Sequence, residues 1–241
     1  IVSYGLDSSA NVYAENVTNA VLDGFTITGG SANAGDDDSS NPQNFGGGMY
    51  ATGGSPAVTG CIFSGNGAYA FGGGMYAKGG SPAVTSCTFS GNSADSGGGM
   101  FNDASGGLVV TDSFFLQNAA GNNGGGIFNK QSSPTVTNSV FSENAAFNGG
   151  GVYNTQSNPA VTDCAFSGNT ANSGGGMFNA DGSLPSATGC TFSANSAAAG
   201  GGMYNFLSNP VVTNCTFSGN SSTGEGGGVC IRDGGTMRNC V

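Results

Sequence analysis

The sequence predicts an all-β solenoid of parallel strands, about eight coils of 25–27 residues with three short strands per coil. Three observations carry this reading. Triple glycines begin at Gly46, Gly72, Gly97, Gly124, Gly149, Gly174, Gly200 and Gly226, at steps of 25 to 27 residues. A Phe-x-x-Asn marker keeps the same interval at Phe63/Asn66, Phe89/Asn92, Phe115/Asn118, Phe141/Asn144, Phe166/Asn169, Phe192/Asn195 and Phe217/Asn220. Finally, no unit holds the ten or more residues of 3.6-residue periodicity that a helix needs, and Leu, Glu, Lys and Arg are scarce. The Leu ladder of a leucine-rich repeat and the Gly-Gly-x-Gly-x-Asp runs of a calcium β-roll are also missing. Each unit is therefore one full coil.

Each coil divides into elements. The glycines are followed by an aliphatic residue (Met49, Met75, Met100, Ile127, Val152, Met177, Met203, Val229). An aromatic comes next (Tyr50, Tyr76, Phe101, Phe128, Tyr153, Phe178, Tyr204), until Cys230 replaces it. Side chains alternate faces along a strand, so the aliphatic ladder is assigned to the core and the aromatic ladder outward. A second strand carries Val58, Val84, Val110, Val136, Val161, Ala187 and Val212, each followed by Thr. A third carries Cys or Ser two residues before the Phe, which puts both on the inner face. Pro56, Pro82, Pro134, Pro159, Pro185 and Pro210 stand just before the second strand, where a missing N–H costs little. Glycines fit corners that need positive φ or close approach of stacked backbones. Asparagine tolerates left-handed backbone and can hydrogen-bond along the axis. Residues 1–241 read as one domain, with 1–45 as degenerate first coils and 46–241 as regular ones. Ile27 holds the Phe position of an early coil, and residues 31–45 form a loop insertion.

Composition restricts the partners. Charged residues are 7% of the chain and the net charge is −10, with Lys78, Lys130, Arg232 and Arg238 as the cations. Nucleic acid and anionic membrane surfaces need clustered Lys and Arg, so both are excluded as partners. No run of 18 apolar residues offers a transmembrane segment. No basic stretch precedes an apolar core, so a signal peptide either has been removed or lies outside this piece.

The segments "FSGNSADSGGGMF", "FSENAAFNGGGVY" and "FSGNTANSGGGMF" resemble the paired repeats of chlamydial polymorphic outer-membrane proteins. They are equally similar to repeats of large bacterial surface proteins built on right-handed parallel β-helices, and "VLDGFTITGG" is similar to the opening coil of that group. The resemblance implies a right-handed, pectate-lyase-like β-helix, secreted or at the cell surface, with adhesive or structural roles. This chain departs from the chlamydial pattern in carrying Gly where Ala is usual.

Many β-helices of that class cleave polysaccharides, a reaction that takes positioned acid and base groups. The chain has no His. Asp95 with Asp103, and Asp163 with Asp181, read as single acids in turns, and Asp112 and Asp163 share a repeat position with Asn138 between them. Lys78 and Lys130 read as having no acidic cluster in register. The expectation is therefore no catalytic residues and no cofactor. Asp36, Asp37 and Asp38 are the densest acid and form a weak Ca²⁺ candidate, set against a plain exposed polar loop. Cys61, Cys87, Cys164, Cys190, Cys215 and Cys240 occupy repeat positions as small hydrophobes, and inter-coil disulfides there would be strained. Cys230, on the aromatic ladder, is expected to be the most exposed thiol. Asn16, Asn214 and Asn220 open glycosylation sequons. The Thr rank raises an ice-binding alternative, against which the irregular rank beginning at Ile62 counts.

The expected role is a non-catalytic extracellular scaffold: an adhesin stalk or a filament subunit. Its partners would be copies stacked end to end or flanking domains of a longer chain, and surface glycans. Joining Val241 to Ile1 continues the repeat, which suggests the stacking. The alternative is a β-helix that binds or cleaves carbohydrate, with the aromatic ladder as a sugar platform.

Overall fold

The computed structural model describes residues 12–34 and 41–241. Three long sheets carry the coils, and every strand pairs in parallel with its counterpart one coil away. The first, here the Met sheet, stacks nine strands from Val12–Glu15 through Met49–Thr52, Met75–Lys78, Met100–Asp103 and Ile127–Lys130 to Val229–Ile231. The Val sheet also has nine strands, among them Ala57–Thr59 and Ala83–Thr85, and the Phe sheet has eight, among them Ile62–Ser64 and Thr88–Ser90. Register follows the repeat without slippage in these sheets: Val84 pairs with Val58 and Val110, and Phe89 with Phe63 and Phe115. The early coil fits as expected, with Val12 opposite Met49 and Ile27 opposite Phe63.

Beyond the three strands per coil, a fourth segment pairs less regularly. Ser93–Ser96 and Ala119–Asn123 form a short flanking sheet with Ser31–Ala32 and Gly67–Ala68, and isolated bridges continue it toward Ser196–Ala199. This segment forms a side wall against the outer face of the Met sheet. Its consequence is a second apolar cluster. Phe45, Ala70, Tyr76, Phe101 and Phe128 pack together with Phe71 outside the central core. The aromatic ladder does point outward, but Tyr76 and Phe101 are only 2% and 1% exposed because the wall covers them. Insertion residues contribute: Asn41 caps a short 3-10 turn at Pro42–Asn44, and Phe45 then sits 4.8 Å from the Tyr76 ring.

The central core is built of ladders. From Phe63 to Phe217 successive rings stack with centroids 4.6–4.9 Å apart and planes within 7°. Burying each Phe is worth about 1.5–3 kcal/mol, a gain repeated in every coil. Beside the rings run two asparagine ladders. In the first, Asn144 donates from Nδ2 to Asn169 Oδ1 and to Phe115 O, while its Oδ1 accepts from the Asn118 backbone N–H and from Asn118 Nδ2, all at 2.9–3.0 Å. Every hydrogen-bonding site of that amide is used inside the core. The second ladder joins Asn102, Asn129, Asn154, Asn179 and Asn205 by Nδ2-to-Oδ1 bonds of 2.7–2.8 Å. Its terminal atoms, Asn102 Oδ1 and Asn205 Nδ2, have no partner, as expected where a one-directional chain stops.

Corners take left-handed backbone. The asparagines of the first ladder are not the left-handed residues; the residue just before each of them is, as at Gly91, Gln117 and Glu143. Another corner follows the Thr rank, where Asp112, Asn138 and Asp163 tolerate φ near +50°. Two glycine roles are distinct. Gly97 needs its φ of +69°, whereas a Cβ on Gly99 would lie 2.5 Å from Gly126 O and 3.0 Å from Phe115 Cδ1.

Asn144→Ala removes a donor and an acceptor from neighbours that no water reaches. It is expected to cost at least about 3 kcal/mol, since each orphaned buried group costs about 1–3 kcal/mol. Asn172→Ala, on the exposed side wall, is expected to stay within about 0.5 kcal/mol. Urea midpoints of the two variants check the difference.

Candidate functional site

The outer face of the Met sheet brings together most of the chain's unusual chemistry. Two residues beyond each aromatic, a second outward column runs Glu15, Thr52, Lys78, Asp103, Lys130, Thr155. Asp103 thus stands in register between Lys78 and Lys130. The lysines thus share their column with one acid and not with an acidic cluster; the strand pairing, with units of 25 and 27 residues on either side, brings the three together. Both lysines are exposed and Asp103 is half-buried. The Tyr76 hydroxyl donates to Asp103 Oδ2 at 3.2 Å, and burial together with that carboxylate pushes the Tyr76 phenol well above its ordinary pKa. Among the described residues the ion pair within 4 Å is Arg232 with Glu225, at 2.8 Å, so neither lysine is held in a close pair. Tyr50 and Tyr153 lie half-buried at either end of this stretch, each with its phenol pKa raised chiefly by burial.

The remaining acids are dispersed. Asp95 lies in the side wall, where Oδ1 accepts from Asn122 Nδ2 at 2.8 Å, while Asp103 faces the Met-sheet surface. Asp181 accepts from Thr155 Oγ1 at 3.1 Å, and Asp163 occupies a left-handed corner after the Val sheet. Asp112 and Asp163 are in one column with Asn138 between them, as their repeat position predicts. The calcium candidate Asp36, Asp37 and Asp38 falls outside the described residues. Among the described residues no group of three or more His, Cys, Asp or Glu side chains is placed to hold a metal ion.

The aromatic ladder as a sugar platform is corrected in its middle. Tyr76, Phe101 and Phe128 lie beneath the side wall with no free ring face, since none is more than 7% exposed. The Thr rank and the rank beginning at Ile62 belong to different sheets, separated by a left-handed residue and a buried Cys or Ser. Two parallel threonine ranks therefore do not form one flat surface.

All seven cysteines are free thiols. Cys61, Cys87, Cys164, Cys190 and Cys215 are buried, with Ser113 and Ser139 continuing the column. Each thiol donates to backbone carbonyls, as Cys87 does to Thr85 O and Val58 O. Burial pushes Cys87 up to about 11, and contact with the Cys164 thiol, reinforced by burial, pushes Cys190 up to about 12. Cys230 is not the exposed thiol: it is 8% exposed, packed in a cluster with Tyr204 beside the Arg232–Glu225 pair, and Cys240 is the half-buried one.

No helix among the described residues is long and apolar enough to cross a membrane. Residues 3–159 and 121–241 match the family model described as right handed beta helix region, two overlapping stretches that together span nearly the whole chain. Neither the curated proteins nor the solved structures compared with the chain gave a match.

A thiol whose pKa is raised by folding opposes ionisation in the folded state. Its contribution is complete below the ordinary value of 9 and is lost as pH climbs through the folded value of about 11 for Cys87. Thermal stability is expected to hold steady from pH 6 to 8.5 and to fall between roughly pH 9 and 11. The fall should be shallower in Cys87→Ser. In native protein a thiol reagent should modify Cys240 first, and all seven only after unfolding.

Proposed function

The chain belongs to the right-handed beta helix family, and from that premise we propose that it is a non-catalytic structural solenoid working outside the cell or at its surface, as a stalk or filament subunit. One observation carries this reading: the phenylalanine and asparagine ladders continue from coil to coil without interruption. A catalytic groove requires local departure from repetition, because acid, base and substrate contacts differ from one another. Here the repetition itself is what the interior conserves, and its mechanical result is a stiff rod. Stacking at about 4.8 Å per coil gives a length of roughly 40 Å for the coils. The partners in this reading are further coils, from flanking segments of a longer chain or from other copies placed end to end.

The alternative, a carbohydrate-cleaving β-helix, draws on the Lys78–Asp103–Lys130 column and its neighbouring tyrosine. Incubation with acidic and neutral polysaccharides, followed by reducing-end and unsaturated-product assays, separates the two. The scaffold reading expects no product above a heat-denatured control, together with straight rods of uniform width by electron microscopy. Product formation that disappears in Lys130→Gln would replace it with the enzyme reading.

A further inference from the structure

Serine fills the cysteine column at Ser113 and Ser139, so the fold does not require a thiol there. Thiols nevertheless recur in adjacent coils, as Cys61 with Cys87 and as the run Cys164, Cys190, Cys215 and Cys240. We propose that neighbouring thiols of this column bind Cu(I) in linear two-coordinate sites, one ion between each of the pairs Cys61–Cys87, Cys164–Cys190 and Cys215–Cys240. The inference is independent of the scaffold reading, because any reading of the rod has the same interior.

The six side chains make one repeated pair of contacts. Each Sγ donates to the carbonyl two residues earlier at 3.2–3.4 Å, as Cys61 does to Thr59 O and Cys240 to Arg238 O. Each also donates to a carbonyl of the preceding coil at 3.4–3.7 Å, as Cys190 does to Val161 O and Cys215 to Ala187 O. They therefore share one rotamer. Strand pairing on both sides holds the register, Thr59 with Thr85 before the first pair and Ile62 with Thr88 after it. Successive Sγ atoms are then separated by the rung spacing of about 4.8 Å.

That separation selects the ligand. A disulfide bond is about 2.05 Å long, so the sulfurs stand more than twice too far apart to form one in place. A metal–thiolate bond is about 2.3 Å long, and a linear sulfur–metal–sulfur unit therefore spans about 4.6 Å, close to one rung. A tetrahedral ion such as Zn²⁺ needs converging donors, and among the described residues no three His, Cys, Asp or Glu side chains converge. Soft thiolates select Cu(I), a d¹⁰ ion that accepts two donors in a line. Side chains stand roughly perpendicular to a sheet, so an ion on the axis meets each Sγ at a wide angle to its Cβ. A second ion on the opposite side would force a T-shaped sulfur. Alternate intervals are filled for that reason, and every thiol of the column serves one ion.

Binding is an exchange: Cu⁺ and two thiols give a two-thiolate copper anion and two protons. Contact with the Cys164 thiol and burial hold the Cys190 pKa up at about 12, so that thiol does not ionise unaided at neutral pH. A coordinating thiol, in contrast, is deprotonated outright. Backbone donors offset the charge left in the core, as the Ser139 N–H does in donating to Cys164 Sγ at 3.5 Å. Five of the six thiols are buried, so the ions enter while the coils close, and loading is coupled to folding.

The test is anaerobic refolding of the reduced chain with acetonitrile-stabilised Cu(I), followed by gel filtration in bathocuproine disulfonate, a competing Cu(I) chelator. The native sequence should retain one copper per pair, and X-ray absorption should give two sulfurs per copper at about 2.3 Å. Cys61→Ser and Cys164→Ser should each lose one copper and their combination two. Cys230→Ser, outside the column, should lose none. Serine already stands in this column, and circular dichroism checks that each variant folds; if one does not, the sulfur count in the native sequence still decides. No copper held against the chelator, a shell of three sulfurs, disulfides in place of copper, or unchanged retention in the folded double variant would each overturn the proposal.

Discussion

The structure depends on one constraint: each interior side chain has its own counterpart one rung above and one rung below. An inner position must therefore hold a residue that complements itself. Phenylalanine does so by parallel stacking, and valine and methionine do so by simple packing. Among polar residues the carboxamide is especially suited, because it has donors on one side and an acceptor on the other. A column of Asp or Glu would place like charges a single rung apart in a medium without water. Asparagine fills two of the polar inner ladders for this reason, and serine and cysteine share a further column by donating to backbone carbonyls.

The same constraint explains the glycine content. Where stacked backbones approach most closely, a Cβ would collide with the carbonyl of the next coil, as at Gly99. Corners that turn the chain need left-handed backbone in every coil, and most of the non-glycine residues found there are polar. Low charge follows as well. Any charge on a repeating position recurs one rung away, so charged residues are tolerated only where the repeat is broken or where signs alternate. Lys78, Asp103 and Lys130 alternate in this way.

Regularity and recognition are in tension in such a molecule. A ligand distinguishes one coil from another only where the outer face departs from repetition. The inner ladders depart little over the described residues, while the outer columns differ from coil to coil. Stiffness accordingly belongs to the interior, and any specificity belongs to a few exposed positions. The covered aromatic ladder falls on the interior side of that division, although its side chains point away from the central core.

Period alone determined most of the fold. Two markers at one spacing assign each residue its axial neighbours, and the stacking of Phe89, Phe115 and Phe141 follows directly. The second asparagine ladder and the Lys78–Asp103–Lys130 column were legible by the same rule, since each is found by counting from the aliphatic position, but single charges and lone asparagines do not stand out until the strands are aligned. Lateral relations were a different matter. Whether the aromatic column met water or the side wall depended on the angles at successive corners and on where Phe45, Ala70 and Phe71 came to rest. Repetition along the axis carries no information about packing across it, so only the tertiary structure could decide the burial of Tyr76 and Cys230.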